Sequence, residues 1–280
     1  MRKSTHVVLT LILAASCGGE REAVVLPPQA EHLFVERVAN HPGVVWRVDT
    51  TDHFIVRGVV HSYSGDNLGS LARGVEQARV RVLQQLGETV GSEGARAHVF
   101  LVRDRDDIRE LVGQAAGGWT DPDANAVVVA VNDSVPPPLR HELGHLYSHR
   151  LWGPPHATWL SEGVAVYAAV QCAGIPLHTW AAAVHRSGDA EPLRVLEHEF
   201  DFSRAAPHLL AGSFVLFVAE VHGIAAVRVL WRGGLGSAEQ ATGKSPAALE
   251  RAWFEQLQSV LLPSDMPDHK GRVRCETSAG

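Results

Sequence analysis

Apolar residues recur every three or four positions across residues 68–90, which places them on one face of a helix. They are Leu71, Val75, Ala78, Val82 and Leu86. Similar segments bounded by proline, glycine or a polar residue predict further helices. These lie at 105–114, 138–150, 158–173, 175–187, 206–222, 224–232 and 246–260.

Short runs rich in valine and isoleucine predict strands. They are "WRVDTTDHFIVRGVV" (46–60), "ARAHVFLVRD" (95–104) and "GGWTDPDANAVVVAVN" (117–132). Because the strands come first and most helices follow, we predict an α+β fold, with a small mixed sheet followed by a mainly helical half. The third run is either an edge strand that pairs with an extended peptide or a strand that only builds the sheet.

The composition is that of a globular protein without a nucleic-acid-binding surface. Hydrophobic residues make up 45% of the 280 residues and charged residues 20%, which is ordinary for a folded chain. The net charge is −6, and lysine and arginine are scattered singly. We therefore expect no nucleic-acid partner. The oligomeric state is left open.

The N-terminus has the features of an export signal. Arg2 and Lys3 precede an apolar run at 7–15 that is too short to span a bilayer. The following "LAASCGGE" resembles the lipobox of bacterial lipoproteins, which implies lipid attachment at Cys17, although Ala14 stands where leucine is usual. The alternative is a plain secretory signal cut near Ser16.

Either N-terminal processing route places the mature protein outside the cytoplasm. We expect a signal segment at 1–17, a tether at 18–45, a catalytic domain at 46–262 and a C-terminal tail at 263–280. The lipoprotein interpretation implies a bacterial cell-envelope location, with membrane contact only through the lipid, since no other apolar run is long enough to span a membrane. Cys172 and Cys275 then remain as either a disulfide or two free thiols.

The most informative motif is His141-Glu142-Leu143-Gly144-His145. On the predicted helix, residues four apart lie on one face, so His141 and His145 present two imidazoles to one point. Glu142 projects beside them and is placed to accept a proton from a metal-bound water. The spacing predicts one Zn²⁺ per chain, with Glu142 as general base.

A catalytic zinc site needs a third protein ligand. The next predicted helix offers Glu162 in "WLSEGVAVY", seventeen positions after His145. A carboxylate among such apolar neighbours is costly to bury unless it has a partner, and a zinc ion is a suitable one.

The HExxH motif followed by "WLSEGVAVY" resembles the gluzincin metallopeptidases, and most closely the peptidase-MA-like domain of bacterial envelope proteins. Looser similarities lie in "TDHFIVRG", "GGWTDPDANAVVVA" and "AGSFVLFVAEVHG", so that the resemblance covers roughly residues 46–262. It implies a zincin-like, thermolysin-like fold, a single zinc and hydrolysis of a peptide or protein substrate. It also implies that His141, His145 and Glu162 are the ligands and Glu142 is the base.

The resemblance leaves the group that stabilises the oxyanion open. Family members often carry a tyrosine where this chain has His208, which could donate the same hydrogen bond. Tyr167 is the other candidate. The aspartate that orients the first zinc histidine in the thermolysin branch would fall at Val166 and is absent.

The remaining histidines are expected to lie outside the metal site. His149 should lie past the metal on an exposed turn, and His156 should be solvated in the loop between the ligand helices, with a place in the cleft as the alternative. The main functional alternative is a catalytically inactive scaffold or binding lipoprotein that keeps the zincin fold. A zinc hydrolase of non-peptide amides is the third.

Overall fold

The computed structural model describes residues 29–91, 94–134 and 137–270, and its strands form one five-stranded sheet and a small hairpin. The sheet order is β1-β2-β3-β5-β4. The β2–β3 and β3–β5 pairs are parallel and both edge pairs are antiparallel, which confirms the predicted small mixed sheet. The strands are β1 (Trp46–Thr50), β2 (Phe54–Val59), β3 (Ala97–Val102), β4 (Gly118–Asp121), β5 (Ala126–Ala130), β6 (Gln171–Cys172) and β7 (Ile175–Pro176).

Helices make up most of the chain after the sheet, as the sequence predicted. A short 3₁₀ helix covers Gly234–Ser237. The α-helices of the described residues are α1 (Gln29–Ala39), α2 (Tyr63–Asp66), α3 (Leu68–Gln85), α4 (Arg105–Val112), α5 (Leu139–Trp152), α6 (Thr158–Ala169), α7 (Leu177–Arg186), α8 (Leu193–His198), α9 (Ala205–His222), α10 (Ile224–Gly233), α11 (Ala238–Thr242) and α12 (Pro246–Ser259).

Strands β3 and β5 bury apolar residues on both sides because helices cover both faces of the sheet. In β3, Val99 and Leu101 point into the main core with the helical half. Phe100 and Val102 point to the opposite face, where α1 and α4 pack. This alternation is the period of two expected of a strand, applied to a sheet with two buried faces.

The helical half is built around α5, α6 and α9, which approach one another closely at glycines. A Cβ at Gly163 of α6 would lie 2.9 Å from the carbonyl oxygen of Ala211 in α9. A Cβ at Gly144 of α5 would lie 3.0 Å from the Cα of Ala165 in α6. Such contacts leave no room for a side chain. They hold the two helices that carry the metal-binding motifs at short range.

Two predicted element boundaries differ from those in the structure. The segment 18–45 was predicted as a tether, but residues 29–39 form α1, whose Val38 is buried against the sheet. Helix α6 was predicted to reach residue 173 but ends at Ala169, because Val170 adopts a positive φ of 72° and the chain turns into the β6–β7 hairpin.

Several other predictions concern the ends of the chain and the membrane. Cys17 and Cys275 lie outside the described residues, while Cys172 is disulfide-bonded. Helix α9 is long and apolar enough to span a membrane, contrary to the expectation of no such run, but 61% of it is buried inside the fold.

Candidate metal centre

Two helices bring three metal-ligating side chains together. His141 and His145 lie one turn apart on α5, and Glu162 lies in the second turn of α6. Gly153, with a φ of 79°, ends α5 and lets the chain turn back. The two histidine Nε2 atoms are 3.2 Å apart. The Glu162 carboxylate oxygens lie 3.6 Å from each of them.

These distances fit a tetrahedral metal site. Ligands about 2.0–2.2 Å from a common tetrahedral centre are roughly 3.3–3.6 Å apart, which is close to the separations found here. The exposed fractions of the His141, His145 and Glu162 side chains are 16%, 13% and 15%, so the group is largely sheltered but still reachable. Among the described residues, this group could hold a metal ion.

The electrostatic surroundings prepare the two histidines to bind a cation. Burial, followed by the neighbouring His145, lowers the pKa of His141 from 6.5 to about 3. Burial, followed by His149 and His208, lowers the pKa of His145 to about 3 as well. Both imidazoles are therefore neutral at physiological pH, which is the form that binds a metal.

The groups behind the two histidines differ. The Nδ1 atom of His145 lies 3.0 Å from the Ser161 hydroxyl, which is also 3.5 Å from Nε2 of His149. The Nδ1 atom of His141 is buried and has no hydrogen-bond partner among the described residues. Ser161 therefore orients one ligand, while packing alone orients the other.

Replacing Ser161 with alanine is expected to weaken metal binding about 10- to 100-fold, the usual cost of losing a partner behind a ligand. The reason is that His145 would lose the hydrogen bond that fixes its ring. Titration of metal-free protein with zinc, read by calorimetry, measures the change. The matched control is Ser259→Ala, because the exposed Ser259 hydroxyl donates to the Gln256 main-chain oxygen away from the metal-ligand group. Equal affinities of Ser161→Ala and wild type would contradict the assignment.

Glu142 lies beside the three ligands and against strand β4. Its side chain is buried, and the Thr120 hydroxyl donates to Oε2 at 2.7 Å and to the Glu142 main-chain oxygen at 3.0 Å. Burial raises the pKa of Glu142 from 4.5 to about 8, while the Thr120 hydrogen bond acts in the opposite direction. A carboxyl group with a raised pKa at a cleft can both take and release a proton near neutral pH.

In metal-free protein, Glu142→Gln is expected to raise the free energy of unfolding at pH 7 but not at pH 4.5. The folded pKa of about 8 exceeds the unfolded value of 4.5, so stability is lost as pH rises through this window. The glutamine variant escapes this loss, which at pH 7 is on the order of 3 kcal/mol at about 1.36 kcal/mol per pKa unit. Urea unfolding at both pH values measures it. A pH-independent difference between variant and wild type would show that Glu142 keeps its ordinary pKa.

The structure brings His208 of α9 to the same site. Its Nε2 lies 3.7 Å from Oε2 of Glu162. Its Nδ1 lies 2.9 Å from the Arg204 carbonyl oxygen, to which it donates. Phe200 packs edge-on against the ring with centroids 5.0 Å apart. The imidazole is therefore held with Nε2 facing the metal-ligand group.

Tyr167 is placed elsewhere, which corrects its candidacy as the oxyanion donor. Its ring is buried, and its hydroxyl donates to the Gln85 carbonyl oxygen of α3 at 3.0 Å. Tyr167 is not among the residues that line the cleft. It follows Glu162 by five positions on α6, so its side chain leaves the helix on a different face and ties α6 to α3.

The side chains of His141, His145 and Glu162 line a cleft with a volume of about 1390 Å³. The C-terminal segment, predicted as a tail outside the domain, forms part of its wall through His269 and Lys270. His269 is buried and bonds Asp189 at 2.9 Å, and Lys270 lies 3.4 Å from the same carboxylate. Hydrogen bonds from Ser187 and then His269, together with the nearby Lys270, hold the pKa of Asp189 down to about 2. The cleft volume of about 1390 Å³ is enough for a ligand larger than a single amino acid.

His149 and His156 were both predicted to lie away from the metal site, but only one of these two residues does so in the structure. His149 lines the cleft and packs edge-on against Trp231 with centroids 5.4 Å apart, so the expectation of an exposed turn was wrong. His156 does not line the cleft; its main-chain N–H donates to the Trp231 carbonyl oxygen.

Sequence reasoning missed Thr120, Ser161 and the Asp189–His269 pair. Ser161 is adjacent to Glu162, so the adjacency could have suggested it. The others are brought in only by tertiary contacts.

Comparison of the chain with models of known protein families finds no match, and comparison with curated proteins finds none. The functional interpretation therefore depends on the residues of this site.

Proposed function

We propose that the protein is a zinc metallopeptidase of the gluzincin type. The observation that carries the proposal is the triangle of His141, His145 and Glu162 with Glu142 beside it. Two imidazoles and one carboxylate are the ligand set of catalytic zinc sites that keep an open position. A soft-metal site would use thiolates, and a magnesium or calcium site would use mainly oxygen ligands.

His141, His145 and Glu162 would hold the zinc ion, which would act as a Lewis acid and make water ionisable near neutral pH. Glu142 accepts the proton of the attacking water and passes it to the amine that leaves. With a cation held by the three ligands, the Glu142 carboxyl group would favour its proton-accepting form. His208 faces the site with Nε2, and in its doubly protonated form it would donate a hydrogen bond from Nε2 to the oxyanion that develops on the substrate carbonyl, because Nδ1 already donates to the Arg204 carbonyl oxygen.

The proposal extends to the zincin-like fold and to the location of the protein. A single zinc, a peptide or protein substrate and anchoring to the bacterial cell envelope through Cys17 are all parts of it. A cleft of about 1390 Å³ is wide enough for a peptide segment. Edge strand β4 borders the cleft with Trp119 and Thr120, and an edge strand offers main-chain hydrogen bonds to an extended chain.

An inactive scaffold remains the second candidate, because one observation favours it. Nδ1 of His141 is buried and finds no partner within the described part of the chain, so one ligand lacks the support that tunes catalytic zinc sites. Against this, a scaffold has no use for a buried carboxyl group next to the ligands. Glu142 occupies that position and is hydrogen-bonded in place by Thr120.

The test is metal-dependent cleavage by the full chain purified in detergent. We expect about one zinc per chain and cleavage of a mixed quenched-peptide library. A chelator should remove the bound zinc and abolish cleavage, and added zinc should restore zinc binding and cleavage. Protein that binds one zinc and leaves every peptide in a broad library intact would overturn the peptidase in favour of the scaffold. Protein that binds no metal would overturn the peptidase and leave only a metal-free scaffold.

A further inference from the structure

We propose that strand β4 positions the general base, with Thr120 holding the Glu142 carboxyl group and Gly118 providing the space it occupies. This inference rests on the proposed function, in which Glu142 is the proton acceptor. Thr120 and Gly118 are positioning residues, because both act through Glu142. Neither residue belongs to the metal-binding motifs.

The first observation is the Thr120 hydroxyl. It lies 2.7 Å from Oε2 of Glu142, a typical distance for a hydrogen bond between two oxygens. Thr120 pairs with Val127 in the antiparallel edge of the sheet, so its main chain is fixed by the sheet. A carboxyl oxygen bonded to a rigid strand has less rotational freedom than one held only by its own helix. Thr120 therefore restricts the rotation of the base.

The second observation is the absence of a side chain at Gly118. A Cβ there would lie 2.6 Å from both Cγ and Cδ of Glu142, well inside van der Waals contact. The backbone φ of Gly118 is not positive, so alanine fits the local conformation. The atoms in the way belong to the Glu142 side chain and not to the main chain. Alanine at 118 should therefore leave the fold intact and move the carboxyl group.

The two residues act on the same carboxyl group from one strand. Thr120 bonds Oε2, and Gly118 leaves the space beside Cγ and Cδ. A purely structural role for Thr120 is the competing explanation, because its hydroxyl also donates to the Glu142 main-chain oxygen at 3.0 Å. Loss of this second hydrogen bond would affect stability. Loss of the first would affect proton transfer.

The experiment compares Thr120→Val, which keeps the shape and removes the hydroxyl, with Thr120→Ser, which keeps the hydroxyl. In the zinc-loaded full chain, Thr120→Val should lower kcat about 10- to 100-fold, the scale expected when a reacting group is misplaced by about 1 Å. KM and zinc content should stay within about twofold of wild type on the same reasoning. Thr120→Ser should restore most of kcat. A valine variant with the wild-type kcat would overturn the role of Thr120.

Gly118→Ala has a matched control in the preceding residue. A Cβ at Gly117 would meet only Arg105 Nη2 at 3.7 Å and Pro138 Cγ at 3.8 Å, which are ordinary contacts. We expect Gly118→Ala to lose kcat with its melting temperature and zinc content close to those of wild type. Gly117→Ala should retain kcat. Equal activity of the two alanine variants would overturn the role of Gly118.

A readout independent of turnover uses acetohydroxamic acid, which binds a metal through two oxygens and gives its proton to a nearby base. Its affinity for zinc-loaded Thr120→Val and Gly118→Ala should fall at least about fivefold, since each variant misplaces the acceptor. Azide, which carries no proton to give, should bind all variants equally. If wild type binds zinc and cleaves no peptide, the proposed function fails while the hydroxamate comparison still decides on Thr120 and Gly118. If the two variants bound acetohydroxamic acid as tightly as wild type, the positioning roles of Thr120 and Gly118 would be overturned and the proposed function would stand.

Discussion

His145→Ala is expected to abolish specific metal binding. In the proposed site His145 supplies one of three ligands, and its Nε2 lies 3.2 Å from that of His141 and 3.6 Å from Glu162. Loss of a group behind a ligand already costs about 10- to 100-fold in affinity, so loss of the ligand itself should cost more than about 100-fold. Zinc affinity, measured by competition with a chromophoric chelator, tests this expectation.

The control for His145→Ala is His198→Ala, because the His198 side chain is 74% exposed and lies outside the metal-ligand group. It should bind zinc as wild type does. Circular dichroism of both variants should match wild type, because α5 is held by buried apolar residues on its other faces. Wild-type zinc affinity in His145→Ala would contradict the assignment of the ligands.

Glu142→Gln is expected to keep the metal and lose catalysis. The amide has the same shape and can still accept from Thr120, but it cannot take up a proton at neutral pH. Removal of a general base typically costs about 10²- to 10⁴-fold in kcat, and we expect a loss in that range with zinc content unchanged. Steady-state cleavage of the best library peptide, together with zinc analysis of the same sample, measures both quantities.

The control for Glu142→Gln is Glu255→Gln, since Glu255 is exposed on α12 and does not line the cleft. This substitution makes the same change of charge away from the metal-ligand group. If Glu142→Gln cleaved peptides at the wild-type rate, Glu142 would not be the base. If it also lost zinc, the carboxyl group would have a role in metal binding instead.

The fold was predictable where local pattern and burial agree. Helices α9 and α10 begin and end within one residue of their predicted limits, because glycine at 223 ends one helix with a positive φ and begins the next. Helix α1 was missed because its packing on the sheet is a tertiary contact, with Val38 buried and Leu33 exposed. The early end of α6 depends on a positive φ at Val170, a residue type that gives no warning of such a turn.

The candidate site was likewise predictable only where the local sequence pattern determines the positions of the residues. The positions of His141 and His145 follow from helix geometry alone, and Glu162 was found from the need for a third ligand. Thr120 could not be placed, because its role depends on how strand β4 lies against α5, across 22 positions of sequence. The His269–Asp189 contact joins residues 80 positions apart and likewise could not be predicted from the sequence. The burial that raises the pKa of Glu142 also arises only from tertiary packing.

The most direct test of the account is a crystal structure of the zinc-loaded protein with anomalous data collected at the zinc absorption edge. We predict one strong anomalous peak within about 2.0–2.2 Å of the His141 and His145 Nε2 atoms and of a Glu162 carboxylate oxygen. Glu142 should lie beside the ion without binding it. A peak at any other group of residues, or no peak in zinc-soaked crystals, would contradict the claim that His141, His145 and Glu162 form a zinc site.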